Sequence, residues 1–286
     1  MQIPKTKIQR PQIFKPEAKE NRDLYASKSK EPPVVGSVRL SAVVITLNEE
    51  KKLPECLASV AFADEIVVVD SLSTDATREV ALRHGARFFT RPFDNFSNQK
   101  NFAMDHAQGD WILFLDADER VSLELQREIS NLIAGQNVCD GYFLRRQNFI
   151  FGRKARFGNN AGDQQLRLVR KGSGRFCGLV HERVRLEGKV GALKAPLLHH
   201  TFQNMDDYFR RFYLYTRLEA EEIYRRGYRP TPYHLFLKPF VQFLYFYFLR
   251  LGFLDGLPGL RYQIHSCFYT YAKYAKALEW FDLERR

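Results

Sequence analysis

Two carboxylates one residue apart follow a short apolar run near the middle of the chain. Residues 111–115 are predicted to form a buried strand, because a parallel strand covered on both faces is apolar throughout. Asp116 and Asp118 come directly after it, at the edge where open α/β sheets bind ligands. Carboxylate oxygens at such an edge can hold a hard divalent cation. A turn or cap before the helix that starts near Ser122 is the alternative interpretation of these two residues.

Polar residues also end two earlier apolar runs, which we predict as strands over 41–47 and 65–69. The residues at these two ends are Leu47, Asn48, Glu49, Asp70 and Ser71. Because parallel strands end at the same edge of a sheet, these residues are expected to face one crevice together with Asp116. An aspartate such as Asp70 can accept hydrogen bonds there from a nucleobase or a ribose. A turn position suits Asp70 equally well.

A lysine lies in the first turn of the next predicted helix, which starts near Ser97 or Asn98. The N-terminus of a helix presents free N–H groups and the positive end of the helix dipole. Lys100 can therefore approach a diphosphate at this place, and ordinary exposure to solvent is the alternative.

Strands and helices alternate in the first half of the chain, and this alternation must position these residues. Helices over 51–62, from Asp75 to His84 and over 123–134 separate the strands, which predicts βαβ units. We therefore predict an α/β fold with a mostly parallel sheet flanked by helices. Further elements are predicted after Gly141: strands over 142–151 and 165–169, a hairpin turn over 171–175, and helices over 205–226, 233–249 and 260–280.

Composition divides the chain of 286 residues into three predicted parts. Residues 1–40 contain five prolines and no apolar period, which predicts a flexible basic tail. Residues 41–204 are predicted to form the α/β domain, and residues 205–286 a helical extension that associates with a membrane. The four cysteines lack the spacing of metal ligands and fit a reducing compartment. No apolar stretch that resembles a signal peptide stands at the N-terminus.

Charge is distributed unevenly along the chain, whose net charge is +11. Residues 41–140 carry nine basic and seventeen acidic residues, whereas residues 141–200 carry thirteen and three. An acidic region followed by a basic one suits a metal site beside a surface that meets anions. We predict no nucleic-acid partner, since the chain has no recognisable reader motif and no repetitive basic tract.

Four of these segments together resemble family 2 glycosyltransferases with the GT-A fold. The segments are Thr-Leu-Asn-Glu-Glu (46–50), Val-Val-Asp-Ser-x-Ser-x-Asp (68–75), Gln-Lys-Asn (99–101) and Leu-Asp-Ala-Asp-Glu (115–119). The resemblance covers residues 41–120 and makes the α/β domain the catalytic domain. It implies that the first two segments, including Asp70, hold the nucleotide of a sugar donor. It also implies that Asp118, with Asp116, binds a Mg²⁺ or Mn²⁺ ion that bridges the donor diphosphate.

Three later segments resemble bacterial lipopolysaccharide core glycosyltransferases, especially β-1,4-glucosyltransferases that act on an inner-core heptose. The segments are Arg-Leu-Val-Arg (167–170), Val-His-Glu (180–182) and Asp-Gly-x-x-Gly (255–259). This implies transfer of a hexose from UDP-glucose to a lipid-linked glycan acceptor. It also implies a cytoplasmic enzyme, peripheral on the inner face of the bacterial inner membrane. A polyprenyl-phosphate sugar transferase and a non-catalytic module that binds nucleotide or glycan are the alternatives.

An inverting transfer needs a general base for the acceptor hydroxyl. Glu182 is the candidate, because acids are scarce in the basic stretch around it, and Asp163 in a glycine-rich loop is the alternative. A salt bridge from Glu182 to Arg183 is the non-catalytic interpretation. His181 or His200 is a further candidate to reach the metal, against a structural role for either histidine.

The segment 233–250 is rich in bulky aromatic residues and contains Lys238 and Arg250. It is too short and too interrupted for a bilayer span, which needs about 20 apolar residues. It suits a helix that lies in the membrane interface, with the aromatic rings at the headgroup boundary. A core helix packed on the last helix is the alternative.

Overall fold

The computed structural model describes residues 40–135, 139–160, 162–178, 183–202 and 204–284. The predicted N-terminal tail lies outside the described residues, and so do His181 and Glu182. The predicted division of the chain into three parts stays a prediction.

Eleven strands are present within these ranges, and the bounds of the first three long apolar runs agree with prediction to within one residue. The strands are β1 (Leu40–Thr46), β2 (Glu65–Asp70), β3 (Arg87–Thr90), β4 (Trp111–Asp116), β5 (Glu119–Val121), β6 (Gly141–Ile150), β7 (Arg153–Lys154), β8 (Gln164–Arg170), β9 (Gly174–Cys177), β10 (Arg183–Leu186) and β11 (Val190–Phe202). The α-helices in the described part are α1 (Leu53–Ser59), α2 (Thr77–Arg83), α3 (Phe96–His106), α4 (Leu123–Ala134), α5 (Met205–Arg225), α6 (Lys238–Leu244) and α7 (Gly256–Leu283).

The main sheet combines a parallel half with a half of mixed direction. Its order is β3-β2-β1-β4-β8-β6-β11-β5, and β7 pairs with β6 outside this path. The four strands from β3 to β4 are parallel, as the βαβ pattern predicts. Beyond β4 the directions are mixed: β8 runs antiparallel to both β4 and β6, β11 runs parallel to β6, and β5 runs antiparallel to β11. The α/β class is therefore confirmed, and the sheet is less uniformly parallel than the first half of the chain implies.

Alternating residues of β4 build the two faces of the core. Trp111, Leu113 and Leu115 pack into one buried cluster, while Ile112 and Phe114 pack into a second on the other face. Helices cover both faces, so all five side chains are removed from water. This double burial is the reason that the strand reads as an unbroken apolar run. It also holds the C-terminal end of β4 rigidly in place.

The predicted hairpin over 171–175 is wrong. The chain turns after β8, but β9 pairs with β10 in a separate two-stranded sheet and not with β8. Phe176 of β9 instead packs against Phe114 of the main sheet, with ring centroids 4.7 Å apart. Burial of this ring outweighs the local preference for pairing across the turn.

The C-terminal helices extend the α/β part. A π-helical turn precedes α6 and another follows it, so that Tyr233–Leu249 forms one continuous helical segment, which we call the aromatic helix. Helix α5 packs against α7, and the rings of Phe212 and Phe268 stack with centroids 5.0 Å apart. In the described part no single helix is long and apolar enough to cross a bilayer. The aromatic helix and the segment Gly252–Leu283 meet that length and composition only as a pair, bent by 73°.

Candidate functional site

The loops after β1 and β2 are joined to each other by hydrogen bonds. The backbone N–H of Asn48 donates to Ser73 Oγ at 2.7 Å, and the N–H of Thr74 donates to Asn48 Oδ1 at 2.8 Å. Asn48 has a φ of 52°, a left-handed conformation that asparagine tolerates better than most residues. The two strand ends therefore form one rigid rim, with Leu47 exposed beside it.

Asp70 is buried, and its carboxylate shapes this rim. Its Oδ2 accepts the N–H of Ser73 at 2.8 Å, and its Oδ1 accepts the Ser73 hydroxyl at 2.5 Å. Ser71 lies next to it, and its Oγ accepts a hydrogen bond from Gln99 at 3.0 Å. The structure thus places both residues at the predicted edge. The bonds to Ser73 show that Asp70 shapes the turn after β2, which was the alternative interpretation of this residue.

Asp116, at the end of β4, stands between two cations. Arg167 of β8 donates to its Oδ2 at 2.6 Å, and the Lys100 ammonium lies 3.3 Å from its Oδ1. Lys100 is only 2% exposed, so its ordinary solvent-exposed role is excluded. Burial acts to raise the pKa of Asp116, but Arg167 and Lys100 outweigh it and hold this pKa below its usual range. Asp116 therefore remains ionised.

Asp118 faces a different pair of basic groups. Arg211 of α5 donates to its Oδ2 at 2.5 Å, and Nε2 of His199 lies 3.5 Å from the same oxygen. Burial acts to raise the pKa of Asp118, and the charges of Arg211 and His199 outweigh it, so the pKa lies well below its usual value. The two carboxylates of the motif are both ionised, and each is held from a different element.

Glu49 completes this cluster from the end of β1. Arg211 lies 2.9 Å from its Oε1, so one guanidinium joins Glu49 to Asp118. Burial raises the pKa of Glu49 despite the opposing effects of Arg211 and Lys52. Lys52 itself is paired with Asp207 of α5 at 2.7 Å. Helix α5 is thereby fastened to the edge of the sheet by three ion pairs, through Arg211 and Asp207.

Two further residues of the site were not singled out as functional from the sequence. Glu119 is fully buried and accepts both Arg167 at 2.8 Å and the N–H of Asp116 at 2.9 Å. It adjoins the two aspartates in sequence, which is a signal that could have found it. Arg211 lies 93 residues from Asp118, and no local pattern marks it.

The remaining predicted site residues in the described part, Asp163 and His200, make contacts that hold them in place. Asp163 is paired with Arg146, whose Nε donates to its Oδ2 at 2.8 Å. Burial acts to raise the pKa of Asp163, and the charge of Arg146 outweighs it and lowers this pKa, which weakens Asp163 as a base. His199 and His200 lie inside β11. His200 stacks on Phe149, with ring centroids 4.9 Å apart.

The donor set suits a hard divalent cation, because two ionised carboxylates end one strand. No group of three or more His, Cys, Asp or Glu side chains that could hold a metal ion is found among the described residues. Asp116 and Asp118 would therefore supply the protein ligands, and their present partners Arg167 and Arg211 would have to share them. Anionic groups of a ligand would meet these same cations and Lys100. The arrangement is thus able to receive a charged phosphate ester with or without an ion.

The chain is similar in sequence to known glycosyltransferases. The chain is 31% identical over 257 residues to the lipopolysaccharide core biosynthesis glycosyltransferase LpsC of Rhizobium meliloti (strain 1021), covering 85% of this chain and 95% of that protein. It is 27% identical over 262 residues to the uncharacterized glycosyltransferase RT0209 of Rickettsia typhi, covering 84% and 87%. The crystal structure of S. aureus TarS 1-349 in complex with UDP-GlcNAc gives a TM-score of 0.46 at 16% identity, covering 86% of this chain and 92% of that one.

Residues 41–194, more than half of the chain, match the glycosyl transferase family 2 model. The match includes β1 to β4 and the polar residues at their ends. With the order of the sheet and the extent of the LpsC alignment, it shows that the chain belongs to glycosyl transferase family 2 and has the GT-A fold.

Proposed function

We propose that this chain is an inverting glycosyltransferase that moves glucose from UDP-glucose to the inner core of a lipopolysaccharide or a similar lipid-linked glycan. The observation that carries the proposal is the convergence of Asp116, Asp118, Lys100 and Arg167 at the end of β4. The class of acceptor is supported by LpsC, a lipopolysaccharide core biosynthesis glycosyltransferase that aligns over most of both chains.

The joined loops after β1 and β2 supply the nucleotide pocket in this proposal. Asn48 and Glu49 stand on one side, and Ser71 on the other, with Asp70 holding the second loop in shape. Because Leu47 is exposed at the same rim, it offers an apolar surface to a base. A preformed rim of this kind binds the donor without the cost of ordering loops.

Lys100 and Arg167 receive the diphosphate. Both are buried beside Asp116, in surroundings where a charge interacts more strongly than in water. They would stabilise the negative charge that accumulates on the diphosphate as the sugar leaves, which is the usual role of fixed cations in transfer reactions.

A divalent ion, Mg²⁺ or Mn²⁺, is part of the proposal, with Asp116 and Asp118 as its ligands. When bound, such an ion acts as a Lewis acid toward the leaving diphosphate. His200 is a poorer candidate ligand than the sequence suggests, since its ring stacks on Phe149. His199, 3.5 Å from Asp118, is better placed to orient that carboxylate.

Glu182 remains the proposed base, and Asp163 the alternative. The support for Glu182 is indirect: the ion pair of Asp163 with Arg146 lowers the basicity of Asp163. The two candidates make different predictions, so the assignment is open to a direct test.

The test of the proposal measures transfer by the full chain from UDP-glucose to an inner-core acceptor. We expect Glu182→Gln to lower kcat by about 100-fold or more, because the amide keeps the shape and loses the base. Donor affinity should be unchanged, and Asp163→Asn should be milder. A severe loss in Asp163→Asn with a mild one in Glu182→Gln would reassign the base. If no acceptor yields a product that contains glucose, the assignment of UDP-glucose as the donor is refuted.

We also propose that the enzyme works at the cytoplasmic face of the inner membrane, attached through the aromatic helix. Its apolar side chains are exposed along one face at helical spacing, and they include Phe236, Phe240 and Phe248. Lys238 does not flank this face freely, since it donates to the hydroxyl of Tyr274 on α7 at 2.6 Å. A lipid-linked acceptor would be reached most directly from that surface.

A further inference from the structure

Three exposed cations stand together at the far end of β6. Arg153 and Lys154 form β7, and Arg156 follows two residues later. Within the described ranges, no carboxylate lies within ion-pair distance of any of the three, and each side chain is open to solvent. Unpaired surface cations at this density favour an anionic partner.

A cavity of about 270 Å³ lies beside these cations. Its opposite wall is formed by Asp255, Tyr262 and Gln263. The side chain of Gln263 is buried, and its Oε1 has no hydrogen-bond partner among the described groups. A buried carbonyl oxygen without a partner is unfavourable, and a hydrogen-bond donor that entered the cavity, such as a hydroxyl, would satisfy it. At about 30 Å³ per water, the volume suits a small hydroxyl-bearing group.

Asp255 is the acidic group in this wall, and backbone hydrogen bonds hold it in place. Its carboxylate accepts the backbone N–H of Arg156 at 3.0 Å and that of Phe157 at 3.0 Å. It keeps its negative charge, so the anionic part of a ligand belongs at the cationic rim and not at this wall. These two bonds also tie the loop after β7 to the start of α7.

The glycines of the Asp-Gly-x-x-Gly motif build the bend that closes the cavity. Gly256 has a φ of 65°, which places it in the left-handed region. Gly259 packs so tightly on Gly252 that an added Cβ would lie 2.4 Å from the Gly252 carbonyl oxygen. The motif thus sets the shape of this corner, between the aromatic helix and α7.

The same bend carries apolar side chains into solvent. Leu257 is 69% exposed, and Leu251, Phe253 and Leu254 are exposed as well. They continue the exposed face of the aromatic helix past its C-terminus. An apolar surface bordered by unpaired cations is the pattern of a site that meets an anionic bilayer.

We propose that this cavity seats the hydroxyl-bearing headgroup of an anionic phospholipid, with its phosphate at the cationic rim, while the apolar residues of the bend enter the acyl boundary. The inference rests on the membrane attachment proposed above and adds a specific lipid site to it. Arg153, Lys154 and Arg156 meet the phosphate, and the Gln263 carbonyl oxygen accepts a hydrogen bond from a headgroup hydroxyl. Apolar contact by the aromatic helix alone would not distinguish anionic from neutral lipid.

The test compares sedimentation of the full chain with vesicles of phosphatidylcholine alone and with vesicles that contain phosphatidylglycerol. We expect wild-type protein to prefer the anionic vesicles. The triple variant Arg153→Gln, Lys154→Gln, Arg156→Gln should bind them at least about tenfold more weakly, since each cation near an anionic surface contributes about fivefold. An unchanged thermal unfolding midpoint would show that the triple variant is folded.

A matched variant removes three exposed cations elsewhere: Arg83→Gln, Arg127→Gln, Lys194→Gln. We expect its binding to stay within about twofold of wild type, because contacts beyond a Debye length are screened. Equal losses in both triple variants would overturn the site in favour of general charge attraction. Displacement by inorganic phosphate at constant ionic strength would reassign the cavity to a soluble ligand. If wild-type protein binds no vesicle, the membrane attachment fails as well. If wild-type protein and the first triple variant bind anionic vesicles equally, the lipid site fails and the membrane attachment stands.

Discussion

Asp118 is tied to the rest of the site through Arg211 and His199, so its charge has both a structural and a chemical role. We expect Asp118→Asn to lower kcat by about 100-fold or more, because the amide keeps the shape but loses the charge that would hold the proposed divalent ion. Glu49 and Asp207 still face Arg211, so the protein should stay folded. Steady-state transfer assays with saturating Mg²⁺ or Mn²⁺ would measure the loss.

The matched control for Asp118 is Glu124→Gln, which removes an exposed carboxylate from the first turn of α4. It should leave turnover unchanged. Near-wild-type turnover of Asp118→Asn in saturating metal would contradict the assignment of Asp118 to the reacting centre.

In the proposed function, Asp70 acts on the donor through the loop that it shapes. We expect Asp70→Asn to raise the donor KM by about tenfold, with a smaller fall in kcat, because loop geometry affects ground state and transition state alike. Ser73→Ala removes the hydroxyl that bonds Asp70 and accepts the N–H of Asn48, and it leaves the carboxylate in place. Similar kinetics in both variants would identify loop positioning, and an effect of Asp70→Asn alone would identify direct contact with the donor. A pure kcat loss at constant KM would contradict both.

At the scale of elements, the site works as a set of ties between β4, β8 and α5. Asp116 joins β4 to β8 through Arg167, and the Asp118 carboxylate beyond β4 joins that loop to α5 through Arg211. Both carboxylates have a pKa below the unfolded value, so their contribution to stability is complete above about pH 3.9 and is lost as the pH falls further. Burial raises the pKa of Glu49 in the folded protein, so its contribution to stability is present at low pH and is lost as the pH rises.

We therefore expect the free energy of unfolding to be steady near neutral pH and to fall steeply below about pH 4. Urea titrations between pH 2 and pH 7 would measure this, with Asp118→Asn as the comparison. The variant lacks one of the titrating groups, so its stability should change less across the acid range. An identical acid dependence in both proteins would contradict the contribution of the Asp118 pair.

The elements that were predictable are those whose burial leaves a local pattern. The parallel strands β1, β2 and β4 are buried on both faces and read as apolar runs, and short polar loops mark their ends. β5 has three residues and begins with two charged ones, so no periodicity reveals it. Turn residues after β8 show where the chain reverses, but not which strand it then pairs with.

The same distinction separates the predicted from the unpredicted residues of the site. Asp116, Asp70 and Lys100 could be placed because each follows or opens a recognisable element. Arg211 could not, since its partner Asp118 is 93 residues away and ion pairs at that range leave no trace in the local pattern. Long-range pairing is decided by the tertiary fold, which a single sequence does not display.

At the scale of the whole molecule, the polar edge of the sheet and the apolar face of the aromatic helix belong to different parts of the chain. Helix α5 connects them: Arg211 and Asp207 reach the strand ends, while Phe212 and Glu219 contact α7 residues. A lipid-linked acceptor held at the apolar face would thus be connected through α7 to α5, the helix that neutralises Asp118.

The membrane attachment proposed for this surface predicts a selective effect of two exposed rings. Phe236 and Phe240 are 67% and 59% exposed on the aromatic helix, so their loss removes little internal packing. We expect Phe236→Ser with Phe240→Ser to weaken sedimentation with anionic vesicles by at least about tenfold, since burying one such ring contributes about 1.5–3 kcal/mol. Leu82→Ser with Leu123→Ser removes two exposed apolar side chains from α2 and α4, and should change nothing. Equal release of both variants, or loss of folding in the first, would mean that the aromatic helix has no specific contact with the bilayer.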